Sequence, residues 1–429
     1  MIMLKIKQVL LVTAIFCLGS TSLTLPVAGA GELETLIADA LAGNPALLAA
    51  RDQQTSAGYQ AEAAGTLADP VISFSFSNYP VDSFAADVTP MTGNELRLAQ
   101  KLPFPGKLNA KKESAVQNEE WQKGLYEESR LELVKKIKTA YYRLYAIDRS
   151  LATVESNLGL LDNISRLAET RYQVGKGSQA NVLTVHLERT RQRDRLIQLE
   201  QKRVTEQGRL NQMASRPLDA PITTPQKIEV KAVEVPLASL QAEAENNRPL
   251  FAAWAARIEQ AKQQRELARL DYRPDMTLWA GYRFRDDNLP DQGTDFVSAG
   301  ISFNLPINRS SRAATVSASE SMLNQVYNQF ADFRTRTAYQ IDDSYQAAMR
   351  TFDLYQLYLT GIVPQARQVY AATMSSYQVG QSDFTDLLSS LITLDKYQTE
   401  QHRAVSSYLQ AIARLEAASG TPISVVRNE

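Results

Sequence analysis

The chain has 429 residues, 22% of them charged, and a formal net charge of -1, so it lacks the basic excess that nucleic-acid binding requires, and nucleic acid is set aside as a partner. One cysteine, Cys17, and two histidines 216 positions apart, His186 and His402, offer no thiol nucleophile or metal cluster at ordinary spacing. No catalytic residue, metal ligand or cofactor is expected, and both histidines read as incidental helix-surface residues.

Residues 1–30 read as a signal peptide. Lys5 and Lys7 precede an apolar stretch over 9–18, and Ala28, Gly29 and Ala30 form a small-x-small cleavage site, which predicts a mature start near Gly31. Lipidation of Cys17 is the alternative, although Phe16 stands before it where a small residue is usual. Beyond this segment no apolar run approaches the roughly 20 residues of a spanning helix, which leaves any membrane crossing to β-strands.

Residues 32–66 read as helix with a break and restart at Asn44-Pro45. The period then changes to two. Over 71–79, Ile72, Phe74 and Phe76 alternate with Ser73, Ser75 and Ser77; over 94–102, Leu96, Leu98 and Leu102 oppose Arg97, Ala99 and Lys101. Residues 107–171 contain no proline. Their apolar side chains, Val134, Ile137, Tyr141, Leu144, Ile147, Leu151, Val154, Leu158 and Leu161, fall in steps of three and four, a coiled-coil seam. About 65 such residues at ~1.5 Å each make a rod on the order of 100 Å. A turn at 172–178, with Gly175 and Gly177, leads into a returning helix over 179–213, and Pro217, Pro221, Pro225 and Pro236 mark an irregular link over 217–246 in which Ile228, Glu229 and Val230 can pair as a short strand.

The second half repeats the first. Tyr172-Gln173-Val174-Gly175 recurs as Tyr377-Gln378-Val379-Gly380 at an offset of 205; Pro45 and Pro70 answer to Pro249 and Pro274 at 204, and Leu102-Pro103 to Leu305-Pro306 at 203. Leu210 and Pro217 answer to Leu415 and Pro422 at 205. So steady an offset is a duplication, with repeats at 31–216 and 247–429, and the unit is too long for a solenoid. Its strands are expected at 275–284, with Met276, Leu278, Ala280, Tyr282 and Phe284 opposite Thr277, Trp279, Gly281 and Arg283, and at 296–305, with Val297, Ala299, Ile301, Phe303 and Leu305 opposite Ser298, Gly300, Ser302 and Asn304. A helix follows over 312–376 with a break or kink at Pro364, then a turn at 377–382 and a return to 419. Strands of about 9 to 10 residues match a tilted bilayer crossing. Four cannot close a barrel, and open edges are not tolerated in lipid, so several copies must contribute. The fold class is mainly α with a membrane β-barrel; a periplasmic coiled-coil scaffold with a soluble sheet is the competing reading.

With Asn44-Pro45, Leu102-Pro103-Phe104-Pro105-Gly106-Lys107 after the second strand, the two Tyr-Gln-Val-Gly turns and Ser178 three residues past Gly175, the chain resembles the TolC-like outer-membrane efflux channels over about residues 32–425. The resemblance implies a homotrimer whose twelve-stranded barrel sits in outer-membrane lipid and continues as a helical tunnel across the periplasm. A periplasmic adaptor (membrane fusion protein) would join the tunnel tip to an inner-membrane pump. The implied function is passive conduction in a tripartite efflux system, with a type I secretion duct as an alternative. The Pro103-Phe104-Pro105-Gly106-Lys107 segment is most similar to members paired with heavy-metal pumps of the resistance-nodulation-division class, which makes heavy-metal ions a candidate cargo. Carried over from the family, Val174, Gly175, Ser178, Val379, Gly380 and Ser382 are adaptor-contact candidates, and Tyr377 and Asp386 are gate candidates. Ser382 and Ser389 stand where the best-known members have an arginine and a second aspartate, which implies a gate held by fewer charged contacts.

Overall fold

The computed structural model describes residues 31–289 and 291–426, so the signal-peptide and lipidation readings lie outside the described residues. The first repeat runs α1 (Glu32–Gly43), α2 (Pro45–Ala64), β1 (Val71–Ser77), β2 (Gly93–Leu102), α3 (Lys107–Gln173) and α4 (Gln179–Met213). The second runs α5 (Leu237–Asn247), α6 (Pro249–Leu270), β3 (Met276–Phe284), β4 (Phe296–Phe303), α7 (Arg309–Leu357), a π-helical turn (Tyr358–Ile362), α8 (Val363–Val379) and α9 (Phe384–Ser419).

The break before α2 is chemically specified. Asn44 Oδ1 accepts from the backbone N–H groups of Ala46 (3.0 Å) and Leu47 (3.2 Å), while Pro45 occupies a first-turn position where no N–H is needed. The Asn44 side-chain amide also donates to the Met213 carbonyl at 2.9 Å, tying the start of α2 to the end of α4.

α3 is unbroken over 67 residues. Its buried surface is wider than a coiled-coil seam: Ile137, Tyr141, Leu144, Val154 and Leu161 are buried as the periodicity predicts, but so are Ala140, Tyr145, Ile164 and Ala168, while Leu151 and Leu158 are only half-buried. The reason is that α3 packs in turn against α2, α4, α6 and α9, and each partner covers a different strip. In the second repeat the disturbance expected at Pro364 is the π turn just before it. Proline cannot donate to the helical carbonyl one turn back, and the wider turn accommodates that loss while the helix continues.

The link differs from expectation at its end. Leu237–Asn247 is a regular helix, the counterpart of α1, and Val230 makes a single antiparallel bridge to Val426 instead of a strand. The largest buried cluster lies at this level, where Leu36, Leu144, Leu210, Leu240, Ile341 and Tyr408 gather side chains from both repeats and the link.

The four strands form one antiparallel sheet in the order β1-β2-β3-β4. The register lines up Phe74, Leu96, Tyr282 and Val297 across the sheet, and beside them Ser73, Arg97, Gly281 and Ser298. Partners in an antiparallel ladder point to the same side, so the four alternations add into one apolar face and one polar face. Among the described residues no helix is long and apolar enough to cross a membrane.

Candidate functional site

Each tip turn is built the same way. Lys176 N–H donates to the Arg171 carbonyl (2.8 Å) and Gly175 N–H to the Tyr172 carbonyl (3.0 Å); at the other tip Gln381 donates to Ser376 (2.9 Å) and Gly380 to Tyr377 (3.1 Å). These paired bonds close a helix only when the residue after its end is left-handed, and Gly175 (φ +73°) and Gly380 (φ +84°) supply that conformation. The repeated tetrapeptide is thus a helix stop, and each tyrosine lies in the last helical turn, not in the loop where the sequence reading put it.

Val174 and Val379 stand exposed beside those glycines, at 62% and 71%. Ser178 caps α4 by accepting from Asn181 N–H at 3.3 Å; Ser382 precedes α9 with its hydroxyl buried and unpartnered. Asp386 is exposed in the first turn of α9, where a carboxylate complements the helix dipole. Tyr377 is buried among Leu161, Ile164, Val185, Phe384 and Leu387. Arg171, which the sequence reading did not single out, joins the two tips: its guanidinium lies 4.5 Å from the centre of the Tyr377 ring, and a Cβ on Gly380 would come within 3.1 Å of its Nη2.

At the other end, the polar sheet face carries a layered contact. The Trp279 ring lies over Gly300, where a Cβ would sit 2.6 Å from the ring, and the Arg97 guanidinium stacks above it, 3.8 Å from the ring centre. Next to this stack Arg283 pairs with Glu95 at 3.0 Å. Below the sheet, Gly106 (φ +96°) starts α3 so that Lys107 is buried, its Nζ 2.9 Å from Asp275 and 3.2 Å from Asp271. Phe104 N–H donates to the same Asp275 oxygen at 2.9 Å. The Pro-Phe-Pro-Gly-Lys segment therefore bolts the strand end of one repeat to that of the other.

Between the ends, α3, α4 and α9 meet at a buried polar node. Asp395 accepts from Asn157 (2.7 Å), Arg195 (2.6 Å) and Gln192 (3.3 Å), and Arg195 also donates to Thr399 (2.7 Å). One turn further along, His402 is not the surface residue that its sequence context suggested. Its Nε2 lies 3.3 Å from Thr153 Oγ1, and burial, with the Arg149 charge adding to it, pushes the imidazole down to about 4. α9 is packed against α3, α7 and α8, which leaves the ring half-buried. His186 remains at the surface, 3.5 Å from Glu169. Among the described residues no group of His, Cys, Asp and Glu side chains forms a metal-binding cluster.

A family model described as outer membrane efflux protein matches residues 36–216 and 240–421, one match per repeat. The fold is similar to the outer membrane protein VceC from Vibrio cholerae, with a TM-score of 0.77 at 21% identity over 91% of this chain and 96% of that one. It is also similar to the Campylobacter jejuni CmeC outer membrane channel (TM-score 0.78, 16% identity, 91% and 85% covered) and to CusC (TM-score 0.77, 14% identity, 91% and 92% covered). A search of curated protein sequences returns no match.

Proposed function

The chain belongs to the outer membrane efflux protein family, and from that premise we propose that three copies assemble into one passive duct, with β4 of each chain pairing to β1 of the next. The duct is an outer-membrane efflux channel that reaches into the periplasm. The observation that carries the trimer is the open sheet. β1 and β4 each have a free edge, one face is apolar from Ile72 to Phe303, and backbone edges cannot be left bare in lipid. Three such sheets give the twelve strands of a closed barrel with its polar face inward. A scaffold would leave the apolar face without a partner. The measurement is the state of the protein in native membranes: a detergent-stable trimer in the outer-membrane fraction is expected, and a monomer in the periplasmic fraction refutes the reading.

In this duct Val174, Gly175, Ser178, Val379, Gly380 and Ser382 receive a periplasmic adaptor, which couples the tip to an inner-membrane pump. Two observations support it: the exposed valines lie beside rigid helix stops, and the two turns are held as one unit by Arg171. Gly380→Arg should abolish export while leaving the trimer intact; wild-type export by that variant would return the turn to a purely structural role. Tyr377 and Asp386 form the gate. Three-fold symmetry gathers three Asp386 carboxylates around one axis, a ring that attracts cations, and Asp386→Ala should relieve block by multivalent cations applied from the periplasmic side. A heavy-metal cargo was suggested by the Pro-Phe-Pro-Gly-Lys segment alone, and that segment is accounted for by the α3 start and the Lys107–Asp275 pair.

A further inference from the structure

Resting on the duct reading, we infer that Arg97, held on Trp279, forms a positive collar inside the barrel that favours anionic cargo over bare cations. The polar face of the sheet carries four charged side chains, Glu95, Arg97, Lys101 and Arg283. Glu95 and Arg283 neutralise one another at 3.0 Å. Lys101 lies at the base, 3.8 Å from Asp275. Among the described residues Arg97 forms no ion pair, and its guanidinium lies on the Trp279 ring at 3.8 Å. It is the one cation of this face that no carboxylate offsets.

The sheet is shaped to keep it in place. Trp279 can lie flat because its β4 neighbour is Gly300, and Arg97 faces Gly281, so neither backbone position carries a side chain that would lift the stack. A guanidinium on an aromatic face keeps its full charge and its donors while losing the freedom to swing toward a distant carboxylate. Closure of the barrel brings three such groups to one height around the axis.

The outer loops are acidic, with Asp82, Asp87, Asp286, Asp287, Asp291 and Asp295, and would oppose the collar if they acted at the same level. They do not. Asp291 is paired with Arg285, and Arg97 lies four residues below the outer end of β2, roughly 14 Å down the strand, beyond the Debye length of about 8 Å at physiological salt. A leaving solute therefore meets the collar before it meets the rim.

The test is thiol labelling from outside, on purified trimer in liposomes, of Ser298→Cys. This replaces an exposed hydroxyl on the polar face, across β3 from Arg97 and roughly 10 Å away by strand spacing. Protein without that substitution supplies the background, Cys17 included. At low ionic strength an anionic methanethiosulfonate should outpace a cationic one by several-fold more than the same pair does with a free thiol in solution. The excess should vanish in the Arg97→Gln background, persist in Arg97→Lys, and fade in the Ser298→Cys protein itself as salt is raised toward 1 M, where the Debye length is about 3 Å. An excess indifferent both to salt and to Arg97→Gln overturns the collar while leaving the duct intact. A thiol that neither reagent reaches overturns the water-filled lumen, and with it both readings.

Discussion

At the tip, Tyr377, Phe384, Leu387 and Leu391 are buried by helices of the same chain, whereas at the opposite end Ile72, Phe74, Phe76 and Ile301 stand exposed on one face of an open sheet. Both ends are rich in apolar side chains, yet only one of them completes its packing alone. The tip is a finished piece of protein interior that can form before any partner arrives. In the proposed duct the sheet is half of an arrangement whose other half is lipid and two more copies of the chain. Stability at the tip should accordingly be local and insensitive to assembly, and stability at the sheet should be collective.

The largest effect is expected where the collective end is broken. Leu278→Arg puts a charge on the apolar face two residues from the centre of β3, at a cost of about 2 kcal/mol per chain and roughly three times that per trimer; Ser302→Arg, on the polar face of the adjacent strand, should cost little. Unfolding titrations in lipid compare the two, and equal losses would mean that the faces are misassigned.

Acid probes the rod that joins the ends. His402 is held neutral in the folded chain down to about pH 4, while an unfolded histidine takes up its proton near 6.5, so between those values the unfolded state binds more protons and stability is lost as the pH is lowered. The loss between pH 7 and 4.5 is about 2 kcal/mol per chain for this group. His402→Gln should remove that part of the slope, and an unchanged pH profile would show that the ring is free to ionise in place.

Smaller effects are expected at the self-contained end. Gly380→Ala forces a Cβ into a left-handed position and toward Arg171, costing about 1 to 2 kcal/mol; Gly175→Ala meets only the backbone term, about 1 kcal/mol, since nothing lies within 4 Å of its Cβ. Hydrogen exchange should show faster opening of the tip in both, with trimer melting unmoved. Smallest is Arg171→Gln, which removes the stack on Tyr377 and about 0.5 to 1 kcal/mol. Trimer dissociation accompanying any of these three would erase the contrast between the ends.

Legibility in the sequence follows the same division. The sheet faces could be read because a period of two admits no third assignment, and the pairings place each of Phe74, Leu96, Tyr282 and Val297 on the expected side. The helix stops were legible because glycine after a helical run has a specific backbone use. Contacts that close over long sequence distances were not legible. Lys107 and Asp275 are 168 residues apart, Arg195 and Asp395 are 200 apart, and neither residue of either pair differs locally from a solvated surface charge. The misreading of His402 has the same origin, since helical periodicity identifies one buried strip and α9 is covered by several elements on different sides. α5 was obscured by the prolines before it, which led the link to be read as irregular through residue 246, over nearly all of the helix.

The π turn at Tyr358–Ile362 carries a record of how the two halves diverged. Between the Leu-Pro pair and the tip tyrosine the second copy is two residues longer than the first, the drift from an offset of 203 to one of 205. One codon inserted into a long α-helix rotates everything beyond it by about 100°, which here would swing Tyr377 out of the tip core and the exposed valine away from its twin. A π turn absorbs one of the two added residues within a single widened coil, which keeps the faces on either side of it in phase: Tyr355 before it and Val363 after it are both buried. Insertions at this point are thus nearly silent in geometry. Descendants of the duplicated gene could change the length of this arm while the two tips remained superimposable, and a comparison of arm lengths among relatives should find its gaps and insertions gathered at this turn.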